Sequence, residues 1–177
     1  DWTYNQVWES VEAPKPTLDK AHFLVAGLGD GVMPLASALR QAPGIRVTSL
    51  SSGDNVRSGE SRADYLFTEV VRSVQASIEE KSAYHAIVLD LGATSDWQQA
   101  ESESVVLLLR VIQSLVGLVQ GMPVCPRLYL LTRDAQAVVA TDGPVPAWGS
   151  LIGLMRVAGT EYPMLRPCVV DLGVDDD

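Results

Sequence analysis

The sequence predicts an α/β domain: a truncated Rossmann-like, doubly wound and mainly parallel sheet with an extra N-terminal strand. Three observations predict it. Short apolar runs recur along the chain at 22–27, 45–50, 85–91, 127–132 and 167–172, without the alternation of a half-exposed strand. Segments of helical periodicity separate most of them, as parallel strands require. A glycine-rich turn follows the first run and opens the first helical segment, the place where such folds change from strand to helix.

Each element has its own warrant. WTYNQVWES (2–10) alternates bulky and polar residues, so it reads as a half-exposed strand outside the parallel series. VEAPKPTLD (11–19) carries two prolines and reads as an extended connector. HFLVAG (22–27) is a buried strand, GLGDGV (27–32) a tight turn, and MPLASALRQA (33–42) a short helix; Pro34 suits its first turn. IRVTSL (45–50) is a strand and 51–63 a polar loop. Residues 64–82 form a helix with Leu66, Val70, Val74 and Ile78 on one face. HAIVLDL (85–91) is a strand. Residues 95–121 form a long helix with Gly121 beyond its end. RLYLLT (127–132), a helix over 146–161 and PCVVDL (167–172) complete the series. The whole of 1–177 is then one domain: a strand at 1–10, a connector at 11–19, an α/β core at 20–172 and the start of an acidic linker at 173–177.

Bulk properties exclude several functions. The net charge is −9 with only three lysines, which argues against a nucleic-acid or anionic-membrane surface. The longest apolar stretch, around 105–119, is broken by Arg110, Gln113 and Ser114, so no membrane span is expected. The opening residues lack the basic flank and apolar core of a signal peptide; a cytosolic location is expected. Cys125 and Cys168 lie in apolar surroundings and are expected to be buried and reduced.

The search for chemistry starts at the glycine loop. Gly27, Gly29 and Gly31 give G-x-G-x-G, whereas the dinucleotide fingerprint needs a glycine where Val32 stands. Asp30 would oppose a phosphate. The second strand ends Thr48-Ser49-Leu50, with no acid for a ribose hydroxyl. The preferred reading is a corner that needs small residues; the alternative is a nucleotide-binding module using 27–32. Short-chain reductases pair a tyrosine with a lysine four residues on, which lowers the tyrosine pKa. Here Val11, Pro16 and Ser77 precede Lys15, Lys20 and Lys81 by four, so the pair is absent. His22 and His85, both at strand starts, read as capping or packed residues without companion metal ligands. In GSLIG (149–153) the serine stands one place too early for a nucleophile elbow. Asp90 at a strand end reads as solvated.

Several spaced motifs carry a family resemblance. TYNQVWES, through Tyr4 and Trp8, is similar to the opening strand of modular polyketide synthase ketoreductase domains. LYLLTRDAQAV (128–138) resembles a strand of these domains and the turn that follows it, with Asp134 where glycine is usual. PAWGSLIGLMRVAGTEYP (146–163) resembles the helix with a Gly-Leu-Gly-Arg core and a Glu-His-Pro end: Gly153, Leu154, Arg156, Glu161 and Pro163 match, and Met155 and Tyr162 depart. CVVDL (168–172), with Asp171, matches the closing strand.

The resemblance covers nearly the whole chain and is to the structural, non-catalytic subdomain. It implies no cofactor here, and NADPH with Ser/Tyr/Lys chemistry on a separate catalytic half. The implied partners are that half and adjacent synthase domains of the same polypeptide, either in an active ketoreductase or as a pseudo-ketoreductase. By itself the chain is expected to be no enzyme, within a parent synthase that is one. The opening strand is expected at the junction between halves, and the last strand at the hand-off to the catalytic half. Arg156 and Glu161 are expected to form an ion pair or cap that fixes the helix end and the next strand.

Overall fold

The computed structural model describes residues 9–11, 20–28, 31–52, 56, 59–91, 97–138 and 143–173. Most of the expected opening strand and connector, with Tyr4 and Trp8, lies outside the described residues, as do Gly29 and Asp30.

Strands β1 (Ala21–Gly27), β2 (Ile45–Ser51), β3 (Ala86–Asp90), β4 (Arg127–Arg133) and β5 (Cys168–Leu172) form one sheet in the order β2-β1-β3-β4-β5. Every pairing is parallel. The order is that of the six-stranded Rossmann sheet with its outermost strand removed on one side. The chain reverses its winding between β1 and β3, and that switch point defines a crevice at the carboxyl edge.

The helices divide unequally. α1 (Val32–Gln41) lies on one face, where Val32, Leu35 and Leu39 meet Val25, Val88 and Leu131. α2 (Arg62–Glu79), α3 (Trp97–Val119) and α4 (Gly149–Glu161) cover the other. There Leu66, Val70 and Val74 of α2 are buried with Leu24, Ile87, Leu89, Leu128 and Leu130 from the sheet; Ile78 is half-buried against the same core. Each fully buried leucine contributes roughly 2 kcal/mol of apolar transfer. Among the described helices only α1 lies on its side, so Tyr129 and Val170 at the β4–β5 end stay half-exposed.

Local signals set the ends. Ser61 caps α2 by accepting the Asp64 N–H at 3.0 Å. Gly121, at φ +84°, turns the chain after α3 in a conformation that suits glycine. Asp134 has φ +46°, which explains why glycine is at home there; aspartate tolerates this region better than most residues.

Two expectations need correction. Ser102–Val119 of α3 is long and apolar enough to cross a membrane by length and composition, with a mean hydropathy of 1.7. Its polar interruptions are too few to break that average. In the fold its apolar face is spent on the core: Leu107, Leu108, Val111, Ile112 and Leu115 are buried between α2, α4 and the sheet. The cysteines are free but only half-buried, because Cys125 sits in the loop before β4 and Cys168 begins the edge strand β5.

Candidate functional site

The switch-point crevice is the natural place for a ligand in this topology. Gly27 pairs with Asp90 across β1 and β3, and Asp90 with Leu131 across β3 and β4. Side chains two residues apart share a face, so Gly27, Asp90 and Arg133 all project on the α1 side, at the carboxyl edge. β4 runs two residues past Leu131, which lets Arg133 reach back over the end of β3.

Arg133 and Asp90 form a two-pronged ion pair there. Nη1 donates to Oδ1 at 2.9 Å and Nη2 to Oδ2 at 3.0 Å. The Asp90 side chain is 3% exposed and that of Arg133 39%. Asp90 is therefore not the solvated strand end expected from sequence. Burial of such a carboxylate is tolerable only with a bonded counter-charge, and the sequence places that cation 43 positions away. The signal in the sequence is a pair of neighbouring parallel strands, AIVLD and RLYLLTR, whose carboxyl ends carry opposite charges.

The ion pair explains Gly31, while the Asp90 backbone and the Val32 side chain explain Gly27. A Cβ at Gly31 would run into Asp90 Oδ2 and lie 2.8 Å from Arg133 Nη2. One at Gly27 would run into the Asp90 carbonyl oxygen. Gly31 gives room to the ion pair at the start of α1, where a dinucleotide pyrophosphate would rest. Among the described residues, the Asp90 carboxylate lies at this approach and neutralises the nearby guanidinium. β2 ends at Ser51 without an acid.

Asp171 organises the neighbouring turn. Its carboxylate accepts Thr132 Oγ1–H at 2.7 Å and the Ala135 and Gln136 backbone N–H groups at 3.0 Å. β5 thereby fixes the path of the chain as it leaves β4. All these donors aim at the one carboxylate.

The α4 motif residues behave differently. Gly153, Arg156, Glu161 and Pro163 are exposed, and a Cβ at Gly153 would meet no atom within 4 Å. Among the described residues no ion pair joins Arg156 to Glu161, contrary to expectation. Five residues rotate a helix by about 140° beyond a full turn, so the two side chains diverge. The helix end is held by backbone instead: Tyr162 N–H donates to the Ala158 carbonyl at 2.8 Å. Pro163 then begins a short 3-10 turn, Pro163–Leu165.

His22 is packed, as its position at a strand start suggests. The Ser82 carbonyl can only accept, so Nδ1 carries the proton and donates to it at 3.1 Å; Nε2 then accepts from the Thr48 hydroxyl at 3.1 Å. The ring lies 4.3 Å from that of Tyr84. Burial lowers its pKa below 6.5, with Arg46 and His85 adding repulsion against the Ser82 contact, which raises it. The unfolded chain therefore takes up this proton first. The contribution to stability is full above about pH 6.5 and is lost as pH falls through the lower folded pKa. We predict a urea midpoint that drops on acidification in this window, and a shallower drop in His22→Gln. An unchanged slope in the variant would refute the assignment.

No family model matches the chain. A mycocerosic acid synthase-like polyketide synthase from Mycolicibacterium smegmatis is 31% identical over 181 residues, 96% of this chain and 8% of that protein. A phenolphthiocerol/phthiocerol polyketide synthase subunit from Mycobacterium tuberculosis is 27% identical over 191 residues, all of this chain and 10% of that protein. The chain thus spans a tenth or less of these relatives' length. Among solved structures, A-type ketoreductases from a modular polyketide synthase align with TM-score 0.59 at 22% identity, covering 94% of this chain and 33% of theirs. A short chain dehydrogenase from Mycobacterium smegmatis aligns with TM-score 0.62 at 13% identity, covering 93% of this chain and 82% of its own. The chain is homologous to a segment of polyketide synthase subunits and has the Rossmann-like fold found in polyketide synthase ketoreductase domains.

Proposed function

We propose that this chain is the non-catalytic structural subdomain of a polyketide synthase ketoreductase region. It supports an NADPH-dependent catalytic half, or neighbouring synthase domains where the region is a pseudo-ketoreductase. The observation that carries the reading is the crevice: at the switch point Asp90 and Arg133 lie against Gly27 and Gly31, where a nucleotide-binding relative needs open space. The missing Tyr-x-x-x-Lys pair supports it from the sequence. The same filling disfavours the alternative of a nucleotide module at 27–32.

The surface is consistent with a supporting role. Val106 and Leu109 on α3 and Val157 on α4 are exposed apolar residues, and the exposed glycines Gly149 and Gly153 present bare backbone. Such surfaces cost little when a neighbour covers them. The proposed neighbour is the catalytic half on the same polypeptide, with residues 1–10 at the junction and β5 at the hand-off.

The test uses the chain alone and with a separately supplied catalytic half. Alone, it is expected to oxidise no NADPH with a β-ketothioester, and millimolar NADPH is expected to leave its melting temperature unchanged. With the partner, amide exchange in 1–10 and on the exposed faces of α3 and α4 should slow. Turnover by the isolated chain would overturn the proposal. Stabilisation by NADPH would favour the nucleotide module, and equal protection in both states would remove the supporting role.

A further inference from the structure

The opposite edge of the sheet holds a basic cluster that the crevice does not use. A concavity of about 200 Å³ is lined by Lys20, Ala21, His22, Gly44, Arg46 and His85. Lys20, Arg46 and His85 bring positive charge or an N–H donor that the fold leaves open, and no carboxylate is among the described lining residues. This is unusual in a chain of net charge −9. Elsewhere the described arginines tend to be committed: Arg40, Arg72, Arg110, Arg127, Arg133 and Arg166 each donate to a protein acceptor. Arg46 and Lys20 have no such acceptor among the described residues.

His85 is the best-placed member. Its backbone N–H donates to the His22 carbonyl at 2.8 Å, and its own carbonyl accepts from Arg127 N–H at 2.9 Å. Its ring Nδ1 accepts the His22 backbone N–H at 3.0 Å. That bond commits the Nδ1 lone pair and places the neutral ring's proton on Nε2. The backbone is thus fixed between β1 and β4 and the ring against β1, with Nε2–H as the donor it can offer a ligand. Arg46 stands close enough to His22 to oppose its protonation, so the guanidinium field reaches this end of the sheet.

The geometry points to an oxyanion site of the phosphoryl class. A guanidinium, an ammonium and an imidazole N–H come from three separate segments, before β1, within β2 and before β3. Several donors lining one concavity suit a tetrahedral phosphoryl group better than a single planar carboxylate. The concavity also has room for an ester substituent. The site goes beyond the supporting role and does not depend on it.

The experiment is an NMR titration of the full chain with inorganic phosphate and, separately, with a phosphomonoester bearing a small neutral alcohol. Matched sodium chloride controls ionic strength. The expected result is a saturable shift of the Lys20, Arg46 and His85 resonances, with the ester bound at least as well as the free ion. Arg46→Gln, an exposed change that leaves the core intact, should weaken binding about tenfold, the loss of one charge-assisted contact. Lys20→Gln should weaken it by a smaller factor. Phosphate binding with ester exclusion would assign the site to the free anion. Shifts reproduced by chloride, shifts mapping elsewhere, or unchanged affinity in Arg46→Gln would overturn the proposal.

Discussion

Replacing Arg133 by methionine is expected to destabilise the domain by about 3 kcal/mol, the low end for breaking a buried ion pair. The low end applies because Arg133 is 39% exposed and water can replace part of what is lost. The cost falls on Asp90, whose 3% exposed carboxylate loses both guanidinium bonds. Methionine keeps the aliphatic packing, so the effect reports charge rather than volume. Urea unfolding of the two proteins measures it. The double variant Asp90→Ala/Arg133→Met should cost less than the sum of its single changes, because no buried carboxylate is left without its guanidinium. Strict additivity would mean the pair is not the unit its geometry suggests.

The same cycle tests why Gly31 is small. In the parent chain Gly31→Ala drives a methyl into Asp90 Oδ2 and Arg133 Nη2, with an overpacking cost of about 1–3 kcal/mol. In the Asp90→Ala/Arg133→Met background those atoms are gone and the substitution should approach neutrality. The outcome bears on function. A glycine kept small for a phosphate would remain sensitive only to cofactor, whereas one kept small for an ion pair becomes indifferent once the pair is removed.

The fold is readable from sequence because its determinants are local. The apolar runs at 22–27, 85–91 and 127–132 are short and flanked by turn residues, as covered strands are, and Leu66, Val70 and Val74 line up on one face without knowledge of their neighbours. The strand end Asp90 is misread for the opposite reason. Its partner, Arg133, lies on another strand, and only the β3–β4 register brings the two together. Arg156 and Glu161 are misread by treating closeness in sequence as contact, which helical geometry denies at a spacing of five. The His22–His85–Arg46 cluster is invisible for the same reason as the Asp90 pair: parallel register gathers the starts of several strands at one edge, and no single motif records it.

Asp171→Ala is the second substitution with a large expected effect. It removes the acceptor for one hydroxyl and two backbone N–H groups at once. Thr132 is fully buried, so its hydroxyl would lose a charged acceptor with no water at hand. Bonds to a charged group are each worth about 1.5–3 kcal/mol, but Ala135 and Gln136 lie in a half-exposed turn and recover part from solvent. A net loss of about 3 kcal/mol is the expected sum. Asp171→Asn is the sharper variant, since its amide keeps one acceptor oxygen but turns an N–H toward a donor. It should lose more than half of the effect of alanine while preserving shape. Amide exchange locates the damage: Ala135 and Gln136 should lose protection first, before β1 or β3. If exchange instead rises uniformly across the sheet, Asp171 acts through global stability and the turn has no special dependence on it. If neither variant shifts the unfolding midpoint, the link from β5 to the exit of β4 contributes nothing, and the matching residue in the closing strand needs another explanation.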